Sequence, residues 1–328
     1  MHDAIFTKTG LHHFHVGAVN AINPRRRTGR LVFADGTDAP ERMRTLMIGH
    51  SFGGLILYAA SSGPLIEVLT AQEDLIDLPP LHGARSSKRR YEETERIADM
   101  IALVNPAFEA SRFEALYRVA NEHTHSCYEP PLLMSITSET DQATGVAFPA
   151  GRFINTLFER PTSSPEQATA IKQTPGHMTA YITHVLHGNT ASPSTQQTNE
   201  ALHGTDAVCG NWTPARKLLT MEGDELASAV KLNRSLELKQ STEFITQLNA
   251  SGDDNKPWTR TFCGGAQLET VKQDGANNAQ TLVWNIRADE NIINGHNDVM
   301  NPALLDFVRQ MFRDTEIVPG LTSQCMSR

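Results

Sequence analysis

Met43-Arg44-Thr45-Leu46-Met47-Ile48-Gly49-His50-Ser51-Phe52-Gly53-Gly54-Leu55-Ile56-Leu57-Tyr58-Ala59-Ala60 is the stretch that decides how the rest of the chain is read. An apolar run ends in a serine flanked by glycines, and an unbroken helix-forming run follows, the pattern of a strand that turns sharply into a helix. A serine on so tight a turn has a strained backbone, and Gly49 and Gly53 remove side chains that would meet the neighbouring strand and helix. The turn projects the Ser51 hydroxyl above the sheet edge and aims the Phe52 amide N–H at the place where an oxyanion would form. Ser51 is therefore the candidate nucleophile and Phe52 N–H the candidate oxyanion donor.

Bulk composition narrows the partners. The 328 residues carry 29 basic and 37 acidic side chains, a net charge of -8. The short clusters Arg25-Arg26-Arg27 and Lys88-Arg89-Arg90 read as solvated loops, so nucleic acid is not an expected partner. Cys127, Cys209, Cys263 and Cys325 lie far apart without a C-x-x-C pair, which points to reduced thiols and away from zinc or redox motifs. The first eight residues lack an apolar signal core, and no run approaches the roughly 18 apolar residues of a membrane span. The expectation is a cytoplasmic chain with no integral membrane segment.

Working outward from Ser51, a helix is predicted from Phe52 to about Thr70, kinked or interrupted at Gly63-Pro64. Residues 72 to 92 read as an exposed loop and Tyr91 to Asp99 as a charged helical turn. Met100-Ile101-Ala102-Leu103-Val104 is continuously apolar, as in a buried parallel strand. Glu109 to Val119 reads as a helix, and Pro130 to Thr137 as a further strand ended by Ser138-Glu139-Thr140-Asp141. This alternation is that of a doubly wound α/β sheet. From residue 151 to 258 the pattern loosens around Pro161, Pro165, Pro175 and Pro193, with one credible helix at Asp224 to Leu248. So long an excursion reads as a cap or lid over the serine. Trp258 to Phe262 and Thr281 to Arg287 read as strands. Asn301-Pro302 opens a last helix with Leu304, Leu305, Phe307, Val308, Met311 and Phe312 on its apolar face. The expected division is a core of residues 1–150 and 259–316, a cap of 151–258 and a tail of 317–328.

Three residues at predicted strand ends complete a constellation. Ser51, Asp141 and His296 follow the order nucleophile, acid, base, and the C-terminal strand ends are where sites of open α/β sheets assemble. A serine hydroxyl needs an imidazole to take its proton, and the imidazole needs a carboxylate to hold one tautomer. Asp141 is the first choice of acid; Glu139, two residues away, is the alternative. Asp289 and Asp298 lie too near His296 in sequence, and Asp298 reads as fixing its loop. His12, His13, His15, His177, His184 and His187 are loosely clustered, and His184 with His187 would share a helix face. Without thiolate or acidic ligands at matching spacing they are not read as a metal site.

The stretches Ile48-Gly-His-Ser-Phe-Gly-Gly-Leu55, Leu103-Val-Asn-Pro-Ala-Phe-Glu-Ala110, Ile136-Thr-Ser-Glu-Thr-Asp141 with Ala147-Phe-Pro-Ala-Gly-Arg152, Thr174-Pro-Gly-His177 with Tyr181-Ile-Thr-His184, and Ile292-Ile-Asn-Gly-His-Asn-Asp298 resemble the α/β-hydrolase superfamily, specifically an esterase-like or lipase-like microbial and fungal group. The resemblance implies a mostly parallel sheet flanked by helices, with Ser51 as nucleophile, His296 as base and Asp141 as acid. It implies hydrolysis of a small-molecule carboxylic ester or acyl substrate, with no cofactor and no metal. In that fold four strands precede the elbow and need roughly 70 to 100 residues. Residues 1–44 offer two short strand candidates, Leu11–Ile22 and Gly29–Phe33, and no His-Gly loop to give a second oxyanion donor. The chain thus reads as incomplete at its amino end, and a catalytically inactive hydrolase-like binding module is the alternative.

Overall fold

The computed structural model describes residues 44–76, 96–122, 128–155, 164–189, 209–250, 257–271 and 280–317. The strand candidates before residue 44, most of the expected loop at 72–92 and the carboxyl tail lie outside these residues. Strand β1 (Leu46–His50) leads into helix α1 (Phe52–Ile76), and β2 (Met100–Val104) into α2 (Ala110–Glu122). Strand β3 (Leu133–Ser138) is followed by a π-helical turn (Ala143–Ala147) and α3 (Phe148–Asn155). Next come α4 (Pro165–Ala170), β4 (His184–His187), α5 (Ala215–Leu218) and the long α6 (Gly223–Ala250). The chain closes with β5 (Thr259–Thr261), β6 (Gln267–Thr270), β7 (Val283–Ala288) and α7 (Pro302–Asp314).

The strands form one seven-stranded sheet in the order β1-β2-β3-β7-β4-β6-β5. β1, β2, β3, β7 and β4 are mutually parallel, whereas β6 and β5 turn antiparallel at the far edge. The fold is therefore α/β with a mostly parallel sheet.

Strand residues alternate between two cores because successive side chains point to opposite faces. Ile101, Leu103, Leu133 and Val283 meet Tyr58, Leu65 and Leu69 of α1 and Phe113, Leu116 and Tyr117 of α2. Met100, Val104, Met134, Ile136, Trp284 and Ile286 meet Leu304, Phe307, Val308 and Met311 of α7 and Ile245 and Leu248 of α6. Burial on both faces is why β2 and β3 are continuously apolar or small in sequence.

α1 runs unbroken through Pro64, so the expected interruption does not occur and the helix continues to Ile76. Its buried stripe, Gly54, Tyr58, Ser61, Leu65 and Leu69, keeps helical spacing across the proline and secures the helix to the sheet. By length and composition Phe52–Thr70 is apolar enough to cross a membrane, the one such helix among the described residues, although the sequence reading found none. The charged helical turn expected before β2 is a bend over its described residues 97–99.

Two strands went unread. β4 lies within the stretch expected to be a cap, yet it enters the sheet beside β7, pairing His184 with Ile286 and Leu186 with Ala288. α6 in the same stretch is tied to α7 and β5: Glu237 to Arg309, Ser241 Oγ to Asp314, and Gln240 Nε2 to the Thr261 carbonyl. Arg260 of β5 joins that seam through an ion pair with Asp314. Because β4 is a strand, a separation of three puts His184 and His187 on opposite faces, one buried and one exposed, not on a shared helix face. The expectation of reduced cysteines is also corrected: Cys209 and Cys263, with Cα atoms 5.5 Å apart, are joined as a disulfide.

Candidate active site

Ser51 sits at the turn between β1 and α1 with φ of 53°, a left-handed conformation that L-residues other than glycine seldom adopt. The neighbouring glycines explain how the turn closes. A Cβ on Gly49 would lie 2.7 Å from the Gly53 carbonyl oxygen and 2.9 Å from Gly54 Cα, and one on Gly54 would come 3.1 Å from Pro106 Cβ. The Ser51 amide donates to the Val104 carbonyl at 3.1 Å, and the Ser51 carbonyl accepts from Gly54, Leu55 and Ala107. The Phe52 N–H has no hydrogen-bond partner among the described residues, and its side chain is exposed.

The loops after β3 and β7 bring the other two residues to this turn. His296 Nε2 lies 3.0 Å from Ser51 Oγ, and His296 Nδ1 lies 2.9 Å from Asp141 Oδ2. A carboxylate can only accept, so Nδ1 carries the imidazole proton and Nε2 is free to accept from the serine hydroxyl. Asp141 is buried and receives three further hydrogen bonds: Ala143 N–H at 2.9 Å and Thr144 N–H at 3.1 Å to Oδ1, and Thr144 Oγ1–H at 2.5 Å to Oδ2. Burial pushes its carboxyl upward, but the hydrogen bonds from His296 and Thr144 outweigh that and hold it below its ordinary value. Glu139 takes no part in this contact: its side chain is exposed, while its amide donates to Ala288 O at 2.9 Å.

The loop that carries His296 is anchored by residues the sequence reading did not single out. Asn105, which ends β2 with φ of 44°, donates through Nδ2 to the Gly295 and His296 carbonyls, each at 3.0 Å. Its Oδ1 accepts from Ser138 N at 2.9 Å, so one side chain joins the ends of three strands. Ser138 Oγ donates to the Ile293 carbonyl at 2.8 Å. His50 Nε2 donates to the His296 carbonyl at 2.9 Å, with the two rings 4.8 Å apart. Burial lowers the His50 pKa against the opposing effect of that hydrogen bond, so the ring is neutral at pH 7. Asp298 Oδ2 accepts from Asn294 N and Asn301 Nδ2, the loop-fixing position expected of it. The sequence signal for Asn105 is an asparagine after an apolar strand, a residue type that tolerates left-handed backbone.

The remaining histidines fall apart as a group. His184 is buried against Trp284 and Trp258, where burial lowers its pKa to about 3. His187 faces Asp289 at 3.7 Å, and His177 lies beside Thr144. His12, His13 and His15 lie outside the described residues. Among the described residues no group of three His, Cys, Asp or Glu side chains is arranged to hold a metal ion.

A hydroxyl, an imidazole of fixed tautomer and a buried carboxylate, linked in series, can move a proton off the hydroxyl as it attacks an electrophile. No family model matches the sequence, and comparison with curated proteins and with solved structures likewise finds no match.

Proposed function

We propose that the protein is a serine hydrolase that cleaves carboxylic esters through an acyl-enzyme on Ser51, on an α/β-hydrolase-type scaffold. The observation that carries this reading is the continuous chain Ser51 Oγ, His296 Nε2, His296 Nδ1, Asp141 Oδ2, with links of 3.0 and 2.9 Å. In the first half-reaction Ser51 Oγ attacks the ester carbonyl carbon while His296 Nε2 takes the hydroxyl proton. The tetrahedral oxyanion is met by Phe52 N–H, which the fold leaves unengaged. As the intermediate collapses, His296 returns the proton to the departing alcohol. In the second half, water loses a proton to His296 and attacks the acyl carbon, which releases the acid and restores the serine. Asp141 stays ionised throughout, keeping the proton on Nδ1 and stabilising the transient imidazolium.

Fluorophosphonate labelling followed by peptide mass spectrometry tests the reading. Modification of Ser51, together with turnover of short p-nitrophenyl esters that Ser51→Ala abolishes, is the expected result. A folded protein that neither labels nor turns over would be a hydrolase-like binding module instead.

A further inference from the structure

We propose that His177, acting through Thr144, is a positioning residue for Asp141, so that the hydrogen-bonded series does not end at the acid but runs Ser51, His296, Asp141, Thr144, His177. The proposal rests on the hydrolase reading and adds to it two residues with a defined task. Thr144 Oγ1 lies 2.5 Å from Asp141 Oδ2, the same oxygen that accepts from His296 Nδ1. Because that oxygen accepts only, the threonine proton is committed to it, and Thr144 Oγ1 presents its lone pairs elsewhere. His177 Nε2 stands 3.2 Å from Thr144 Oγ1 and is therefore the donor in that contact. Burial depresses the His177 pKa, opposed by Asp141 and aided by Arg287, so the ring is neutral and its single N–H lies on Nε2.

The surroundings of His177 are built to keep the ring there. A Cβ on Gly145 would sit 2.8 Å from His177 Cε1 and 3.1 Å from Nε2, so only glycine lets the imidazole lie against the turn that carries Thr144. A Cβ on Gly176 would collide with the Thr137 side chain of β3, which seats the backbone beside His177 directly on the sheet. Asn285 of β7 donates through Nδ2 to the Pro175 carbonyl at 2.8 Å and the Tyr181 carbonyl at 3.1 Å. Arg287 Nη2 donates to the Gly176 carbonyl at 3.4 Å. The turn holding His177 is thus fastened to β3 and β7, the two strands whose ends deliver Asp141 and His296. Acid, base and His177 share one frame.

The consequence is geometric. With Thr144 on one lone pair of Oδ2, the other is left for His296 Nδ1, and the carboxylate cannot rotate away as the imidazolium forms. The Nε2–H of His177 in turn stops the threonine hydroxyl from swinging off the carboxylate.

The test measures kcat, KM, the midpoint of the acid limb of kcat/KM and the rate of fluorophosphonate labelling at Ser51. The variants are Thr144→Val, Thr144→Ser, His177→Phe, His177→Gln and Gly145→Ala. Thr144→Val is expected to lower kcat roughly tenfold at unchanged KM, as loss of an outer hydrogen-bond partner does elsewhere. It should also raise the acid-limb midpoint, because a carboxylate stripped of one donor concentrates its charge on His296. His177→Phe and Gly145→Ala should move the same parameters in the same direction by less. Thr144→Ser and His177→Gln, which keep a hydroxyl and an N–H donor, should restore them. Should Thr144→Val fail to fold, the His177→Phe and His177→Gln pair decides alone. The proposal is overturned if the folded variants match wild type in kcat and midpoint, or if the donor-retaining variants fail to rescue. Wild-type protein that does not label at Ser51 overturns this inference together with the hydrolase reading; labelled wild type with unmoved variants overturns this inference only.

Discussion

Replacing Asp141 by asparagine removes one oxygen from a group that now accepts four hydrogen bonds, two on each oxygen. The amide can be placed in two ways, and their costs differ. If its NH2 points at Ala143 N–H and Thr144 N–H, two buried backbone donors lose their acceptor, at about 1–3 kcal/mol each. If its NH2 points at His296 and Thr144 instead, the His296 imidazole can change tautomer, and the threonine hydroxyl can turn towards His177 Nε2 once that ring changes tautomer as well, so no buried donor need stay unpaired. The second placement wins on these magnitudes. It moves the imidazole proton to Nε2, where it faces Ser51 Oγ at 3.0 Å and the ring can no longer accept from the hydroxyl. The expected result is a fall of about 10⁴-fold in kcat for p-nitrophenyl ester hydrolysis, with cooperative unfolding retained. Glu139→Gln, whose side chain is exposed, should leave kcat unchanged. An Asp141→Asn protein retaining a tenth or more of wild-type turnover would refute the reasoning, and a matching loss in Glu139→Gln would give the proposed acid's place to Glu139.

Two further outcomes follow from packing and burial. Gly49→Ala places a methyl 2.7 Å from the Gly53 carbonyl oxygen, a backbone atom, and should destabilise the protein by about 1–3 kcal/mol in urea unfolding. An unchanged midpoint would mean the turn is looser than described. Burial raises the Asp306 pKa to about 6 from 3.8, against the opposing pull of Arg309. A carboxyl whose folded pKa is raised holds its proton longer when folded, so its ionisation costs stability as pH climbs from about 4 to 6, by about 3 kcal/mol in all. Asp306→Asn should therefore gain stability relative to wild type across that window and be nearest to it below pH 4, as measured by chemical denaturation at each pH.

Much of the fold was legible because its strands are buried on both faces. Met100–Val104 and Val283–Ala288 emerge almost to the residue, since a continuous apolar run between turn signals has few other uses. β4 and β6 were missed for the opposite reason. His-Val-Leu-His and Gln-Leu-Glu-Thr carry too little apolar content to stand out, and they become strands because β7 offers an edge to β4 and β4 in turn offers one to β6. Ser51, Asp141 and His296 could be singled out because each follows a recognisable strand or precedes a recognisable helix. Asn105, Thr144 and His177 could not, because Asn105 reaches partners 33 to 191 residues away, and Thr144 and His177, 33 residues apart, meet only once the sheet has formed. Likewise nothing local signals that Cys209 and Cys263, 54 residues apart, come together.

Asn105 has a thermal consequence. One amide holds both carbonyls of the Gly295-His296 pair and one backbone N–H of β3, so the freedom of the histidine loop is surrendered when the sheet assembles and need not be surrendered again at each encounter with a ligand. Warming that released this side chain, together with the His50 contact to the same His296 carbonyl, would let the imidazole wander while every strand remained paired. Loss of alignment between Ser51 and His296 would then precede melting, and the proposed activity would be lost at a temperature where the circular dichroism still looked native.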